Sequence, residues 1–394
     1  MAKKKQCYSG IGGQAVLEGI MMRNGDKSAV AVRKSDGTID VQSVDYKSAI
    51  PKNWFTTFPF IRGVVNFVDS MMMGIKSINF SADITMEEED DEPGKFEMWI
   101  KKHFGDKAND LLLTVTMIIA IVMSVGLFVV LPYALSALMG IWIHNKLVLS
   151  VSEAAMRFVI FIGYVVLIGQ MEDIKRLYMY HGAEHKCIDC IEKGRLLTVS
   201  DVMRSNRLHP RCGTSFMLYV MAISCILFFF INVDNPVQRL GLRLLLIPVI
   251  AGISYELIRL AGRFDNPLTR LLSMPGMALQ RLTTKEPTED MVEVAIKAVE
   301  AVYDWKAFLK DNYGYDVKDE WLINEENMSE EYDAEEYDED AMASFAEKFE
   351  DAFEYIEESF EEALETIEDG AEDVFEQIEK RFKDRTGQEE KDDL

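Results

Sequence analysis

Four stretches of this chain are apolar for long enough to enter a bilayer: Leu111 to Pro132, residues 151–169, Ser215 to Asn232 and residues 241–258. Each runs to roughly 18–22 residues, close to the ~20 a helix needs to cross the hydrocarbon core. The pattern predicts a four-helix membrane domain over 96–260. The fourth stretch contains Pro248 and Glu256. A charged glutamate at depth costs roughly 3 kcal/mol on insertion scales, so Glu256 is expected near an interface, or facing protein or a metal.

The flanks follow other periods. Ala29–Arg33 and Ile39–Val44 alternate, and Asp36-Gly37 lies between them. This predicts a hairpin in a small β-containing unit over 1–50. Gly10, Gly12 and Gly13 before Gln14 read as a tight turn rather than an anion cradle, because neither a preceding strand nor a Walker lysine accompanies them. In residues 60–82, Val64, Val65, Val68, Met71, Met72, Ile75 and Ile78 make one apolar helical face. Arg62, Asp69 and Lys76 interrupt it, so an interfacial or packed helix is expected. Residues 261–323 read as a cytosolic helical segment. Within it 286–312 is expected to be one amphipathic helix capped at Thr288, with Val292, Ala295, Ile296, Val299 and Val302 as its stripe.

Charge changes this picture at the C-terminal end. The net charge is −24, yet residues 325–394 hold 30 acidic and 6 basic side chains and account for all of it. Residues 86–95 read as an acidic linker and 324–394 as an acidic tail, disordered to about 340 and then helical. Phe349, Phe353, Ile356, Phe360, Ile367, Val374 and Ile378 give that helix a heptad-like stripe. The tail is suited to a basic protein partner or a second copy of the chain, so a homo-oligomer stays open. No basic stripe of the kind that binds nucleic acid is present. Lys101, Lys102 and Lys107 precede the first span, eight Lys and Arg lie between the second and third, and four Arg follow the fourth. The positive-inside rule then places both termini and the 170–214 loop in the cytoplasm of a multi-pass cell-membrane protein. No cleavable signal peptide is expected after Met1. Five cysteines, an odd number, fit a reducing compartment.

Chemistry concentrates after the second span. His181-Gly-Ala-Glu184-His185-Lys186 puts two imidazoles one helical turn apart with a carboxylate beside the second. This is the reversed zinc-hydrolase pattern, in which the histidines hold Zn²⁺ and the glutamate acts on water. The nearest further candidate donors are Cys187, Cys190, Glu192, His209 and Cys212, the last two three apart in a proline-bearing turn, and Glu256 is the other. A closed set of His181, His185, His209 and Cys212 would be structural, whereas three protein ligands with Glu184 as base would be catalytic. Cys187-x-x-Cys190 could bind metal, exchange disulfides or simply pack.

Several ungapped motifs in one order carry a resemblance. They are Gly12-Gly13-Gln14-Ala15-Val16-Leu17-Glu18-Gly19, Arg62-Gly63-Val64-Val65-Asn66, His181–Lys186, His209–Ser215, Val249–Glu256 and Leu282–Pro287. With these, about residues 8–303 resemble the bacterial YqhQ family, described as uncharacterised membrane proteins and predicted metal-dependent enzymes. The acidic tail stands outside that pattern. The resemblance implies a mainly α, polytopic membrane protein and names no substrate. Two functions are then expected to compete. One is a membrane-embedded zinc hydrolase at the cytoplasmic face, with Glu184 catalytic and its ion held by His181, His185 and one or more of His209, Cys212 and Glu256. The other is a non-enzymatic scaffold or assembly factor with a structural metal and a tail that recruits a basic partner. Transport is the weakest reading, because the spans hold few ionisable groups.

Overall fold

The computed structural model describes residues 7–43, 53–54, 56–86, 108–209, 212–231, 233, 235–263, 267–314 and 316–318. The expectations for the linker beyond Met86 and for the tail from 324 lie outside these residues. The described chain is mainly helical, with one small antiparallel sheet at its N-terminal end.

The sheet has four strands in sequence order: β1 (Gly12–Val16), β2 (Gly19–Asn24), β3 (Lys27–Arg33) and β4 (Ile39–Ser43). The expected hairpin is β3–β4. Of the glycines read as a tight turn, Gly10 has a left-handed φ of +77°, while Gly12 and Gly13 after it open β1 instead. Met21 and Met22 on its partner strand are buried, and the ladder satisfies a backbone whose side chains give no alternating signal.

Among the described residues, three helices are long and apolar enough to cross a membrane: Thr114–Met139, Val148–Gly169 and Val237–Leu260. They belong to α2–α3 (Ala108–Val125 and Leu131–Met139, joined by a π-helical turn at Gly126–Val130), α4 (Lys146–Gly169) and α8 (Pro236–Arg263). The remaining expected span is α7 (Gly213–Phe229), apolar but 17 residues long. At ~1.5 Å per residue that is about 25 Å, one turn short of the core. The first span was expected to end at Pro132, yet the helix continues to Met139. Pro132 has no N–H and crowds the carbonyl four residues back. The π turn relieves that crowding, and the Phe128 carbonyl accepts from Arg157 Nε at 3.1 Å instead. Ile118, Val122 and Met123 point outward and are more than half exposed. That is the surface expected of a segment covered by lipid.

The second span ends at Gly169, and the helix expected over 286–312 is two. The chain turns extended at Met171, and α5 (Glu172–Glu192) begins afresh with Glu172 and Asp173 in its first turn, where the helix dipole favours them. Residues 286–312 divide into α10 (Glu289–Val302) and α11 (Trp305–Tyr313). The break falls at Tyr303–Asp304, where the Asp304 carboxylate caps the second helix by accepting from the Ala307 N–H. Between α5 and α7 lies the short α6 (Val199–Met203), and α9 (Pro267–Thr283) returns from α8.

The core of the non-membrane part lies around α10. Its predicted stripe is buried, and Met291, Val294 and Ala298 on other faces are buried as well. α10 is therefore wedged between the sheet and α5, and both faces of the wedge exclude water. Each fully buried valine there is worth roughly 1.5–3 kcal/mol of transfer free energy. α1 (Ile61–Met86) packs along α8, fastened by an Arg62–Glu256 fork at 2.5–2.7 Å and by Asn66 Nδ2 donating to Tyr255 Oη at 2.7 Å. Its opposite side exposes Phe67, Met71, Met72 and Ile78.

Candidate metal centre

His181 and His185 lie on one face of α5, with ring centroids 4.4 Å apart. Two backbone carbonyls orient them. His181 Nδ1 lies 2.9 Å from the Thr283 carbonyl, and His185 Nδ1 lies 2.5 Å from the Arg207 carbonyl. A carbonyl only accepts, so each Nδ1 carries the proton and donates it. Both Nε2 atoms are thereby turned inward, the arrangement in which histidines ligate metals. Cys212 Sγ meets them, 3.2 Å from His181 Nε2. Ligand atoms of His181, His185 and Cys212 all lie within 4.8 Å of one another.

Cys212 is held by its own helix. It caps α7, and its sulfur accepts from the Thr214 N–H at 3.3 Å. It thus immediately precedes an apolar helix, which puts the cluster at the boundary between the α5–α10 core and the apolar bundle.

Charge follows from these contacts. Burial alone would push the Cys212 thiol up, but the two imidazoles outweigh it and hold it well below an ordinary thiol. Burial would push His181 down, but the sulfur beside it, with Glu184 and the Thr283 carbonyl, raises it to about 9. The electrostatics favour a proton on His181 over one on Cys212. Glu184 is raised, first by burial, against the pull of His181 and His185. The Gly13 N–H holds one side of its carboxyl, while Oε2 is buried and has no hydrogen-bond partner.

Two glycines make this geometry possible. A Cβ on Gly182 would sit 2.0 Å from the Lys285 carbonyl oxygen. The absent side chain lets residues 283–287 lie directly on α5, where the Lys285 N–H donates to the Tyr178 carbonyl at 2.9 Å. A Cβ on Gly13 would sit 3.0 Å from Glu184 Cδ, so β1 can approach the carboxylate only as glycine.

Of the sequence candidates, His181, His185 and Cys212 converge, and Glu184 lies within electrostatic reach of all three. His209 is adjacent but faces elsewhere. Its ring is 5.8 Å from that of His185, and its Nε2 is 3.6 Å from Glu192 Oε2. Its backbone is clamped by Gln280, which accepts from His209 N at 2.8 Å and donates to His209 O at 2.7 Å. Glu256 is not among the converging donors and is engaged by Arg62. Cys187 and Cys190 are buried in the core with their thiols pushed up by burial, and Cys190 donates to the Leu196 carbonyl.

Sequence reasoning missed Thr283 and Arg207, which act through backbone carbonyls that carry no side-chain signature. It also missed Gln280 and the part Gly13 plays beside Glu184, and it took Glu192 for a candidate metal donor, whereas Glu192 is fully buried and accepts from the Ser9 N–H and hydroxyl. The motif Leu282–Pro287 was the available signal, since its role is to lay Thr283 against His181.

The sequence model of the family described as "Protein of unknown function (DUF1385)" matches residues 58–305. The chain belongs to this family. It is also similar to "Uncharacterized protein YqhQ" of Bacillus subtilis (strain 168), with 32% identity over 312 residues, covering 76% of this chain and 94% of the relative. No solved structure matches. The family match spans every residue of the cluster but begins beyond the sheet, so Gly13 comes from outside it.

Proposed function

We propose that this DUF1385 protein is a membrane-associated, zinc-dependent hydrolase whose site lies at the cytoplasmic face. One observation carries the reading. Three soft or borderline donors converge while the adjacent Glu184 keeps a buried carboxylate oxygen with no hydrogen-bond partner. Two imidazoles and a thiolate suit Zn²⁺ better than Mg²⁺ or Ca²⁺, which take oxygen ligands. When bound, Zn²⁺ supplies Lewis acidity and lowers the pKa of water.

The protein's own residues supply the rest. The Thr283 and Arg207 carbonyls fix the histidine tautomers. Glu184 Oε2 takes a proton from the attacking water and returns it to the leaving group. Burial raises its pKa above that of an ordinary carboxylate, the direction that strengthens a base. Cys212 directly precedes an apolar helix, which favours a lipid ester or a membrane-bound peptide as substrate. The distribution of Lys and Arg between the spans supports the cytoplasmic placement.

A second reading, a scaffold with a structural metal, draws on burial. Glu184, His185 and Cys212 are 5%, 2% and 8% exposed. Metal analysis of purified full-length protein, with hydrolysis of lipid-ester and peptide panels measured with and without chelator, separates the two. The first reading expects about one zinc per chain, lost in His185→Ala, and a Glu184→Gln variant that keeps the metal but not hydrolysis. A Glu184→Gln variant that loses metal and fold together supports the scaffold. Wild-type protein without stoichiometric metal overturns both.

A further inference from the structure

A second charged cluster lies inside the apolar bundle, at the end remote from the histidines. Glu153 on α4 is 16 residues before Gly169, about 24 Å along the helix from the end that leads to α5. Its carboxylate is 4% exposed and serves several guanidiniums. Arg157 Nη2 donates to Oε1 at 2.8 Å, Arg243 Nη2 donates to Oε2 at 2.9 Å, and Arg239 Nη2 stands off at 4.0 Å. Arg157 is otherwise satisfied by the Phe128 carbonyl and by a contact at 3.7 Å with Cys225 Sγ.

Charge does not balance here. One carboxylate faces two fully buried guanidiniums and a third at the rim, so the cluster carries an excess of one to two positive charges among apolar helices. Uncompensated charge in such surroundings is expensive, and helices of this kind normally pair it. The excess is localised. Arg243 is 1% exposed, and its Nε donates to nothing, while Nη1 contacts Glu153 Oε1 at 2.6 Å without the geometry of a hydrogen bond. Arg239 Nε is buried and without a partner too. Both guanidiniums stack on the Tyr133 ring, at 4.9 Å for Arg243 and 5.4 Å for Arg239, which holds them side by side.

Their position suggests what would compensate them. Arg239 is one turn into α8, with a side chain 28% exposed, and Arg243 is one turn deeper. That is the depth at which headgroup phosphates meet helix ends. Around them α8 exposes Val237, Leu242 and Leu245, at 79%, 39% and 72%. These are apolar surfaces that acyl chains cover and a soluble ion does not need.

We propose that Arg239 and Arg243 form a binding site for a phosphate group, supplied by an anionic phospholipid in the leaflet opposite the histidine cluster. The phosphate accepts from the Arg239 guanidinium at the rim, and its charge offsets the excess at Arg243, which Glu153 with Arg157 holds in place beneath it. The inference is independent of any metal at the histidines.

The test uses full-length protein in a neutral detergent, read by native mass spectrometry and by thermal unfolding. Probes are phosphatidylglycerol, phosphatidylcholine and inorganic phosphate. The expected result is phosphatidylglycerol retained at least about tenfold more than phosphatidylcholine, with a raised melting temperature. Arg239→Gln, whose residue lies at the rim and whose lipid-free melting temperature should match wild type, is expected to lose most of that preference, and Arg239→Lys to recover part of it. Equal retention of the two lipids overturns the site, as does an unchanged preference in a folded Arg239→Gln. Stabilisation by inorganic phosphate equal to that by the lipid overturns the lipid source.

Discussion

Replacing Gly182 by alanine tests whether the backbone of 283–287 is what aims His181. The new Cβ would lie 2.0 Å from the Lys285 carbonyl oxygen, whereas an ordinary C···O contact is about 3.3–3.6 Å. The segment must therefore retreat by about 1.3 Å or more. His181 Nδ1 is 2.9 Å from the Thr283 carbonyl, two residues away, so the same retreat carries that carbonyl beyond hydrogen-bonding distance. Overpacking of this kind costs about 1–3 kcal/mol, and the lost buried hydrogen bond about 1 kcal/mol more. Loss of a carbonyl that orients a ligating histidine weakens metal binding by roughly 10–100-fold. The assay is zinc affinity by chelator competition, together with thermal unfolding. Gly163→Ala serves as control, because its Cβ would meet nothing within 4 Å and should leave both readouts alone or slightly improve stability. A Gly182→Ala protein that keeps wild-type stability and binds zinc within twofold of wild type would refute the reasoning.

Other predictions concern different parts of the molecule. Zinc affinity should rise with pH from 6 towards 9 by about tenfold per unit, because the ion must displace the proton that His181 holds up to about 9; affinity flat over this range, followed by competition titration, contradicts the pairing with Cys212. Cys190→Ala should leave metal stoichiometry unchanged at a cost of about 1 kcal/mol, since that thiol bonds the Leu196 carbonyl and not the cluster; elemental analysis showing lost zinc would reassign the ligands. Glu153→Gln strips the buried arginines of their counter-charge and should destabilise the bundle by about 3–5 kcal/mol, seen as a lower melting temperature in detergent; a neutral result would mean the arginines are compensated from elsewhere.

Much of this protein was set by local pattern. Runs of about 20 apolar residues favour a bilayer, so three candidate spans were legible from composition and length at 111–132, 151–169 and 241–258, although the structure carries the first helix on to Met139. Two histidines at i and i+4 must share a helix face, so His181 and His185 were fixed as a pair before any fold was known. The β3–β4 hairpin followed from alternation about Asp36-Gly37. Tertiary packing decided the rest. Nothing local distinguishes His209 from Cys212 as the partner of that pair. The Gln280 clamp and Glu192 turn His209 aside, and the cap of α7 delivers the sulfur. Nor does Glu256 reveal its partner, since Arg62 is 194 residues away in the chain. The orienting groups are backbone carbonyls of Thr283 and Arg207, which every residue possesses. The close approach permitted at Gly182 gives the Thr283 carbonyl its role, because a hydrogen bond depends on where the chain is brought and not on which side chain marks the place.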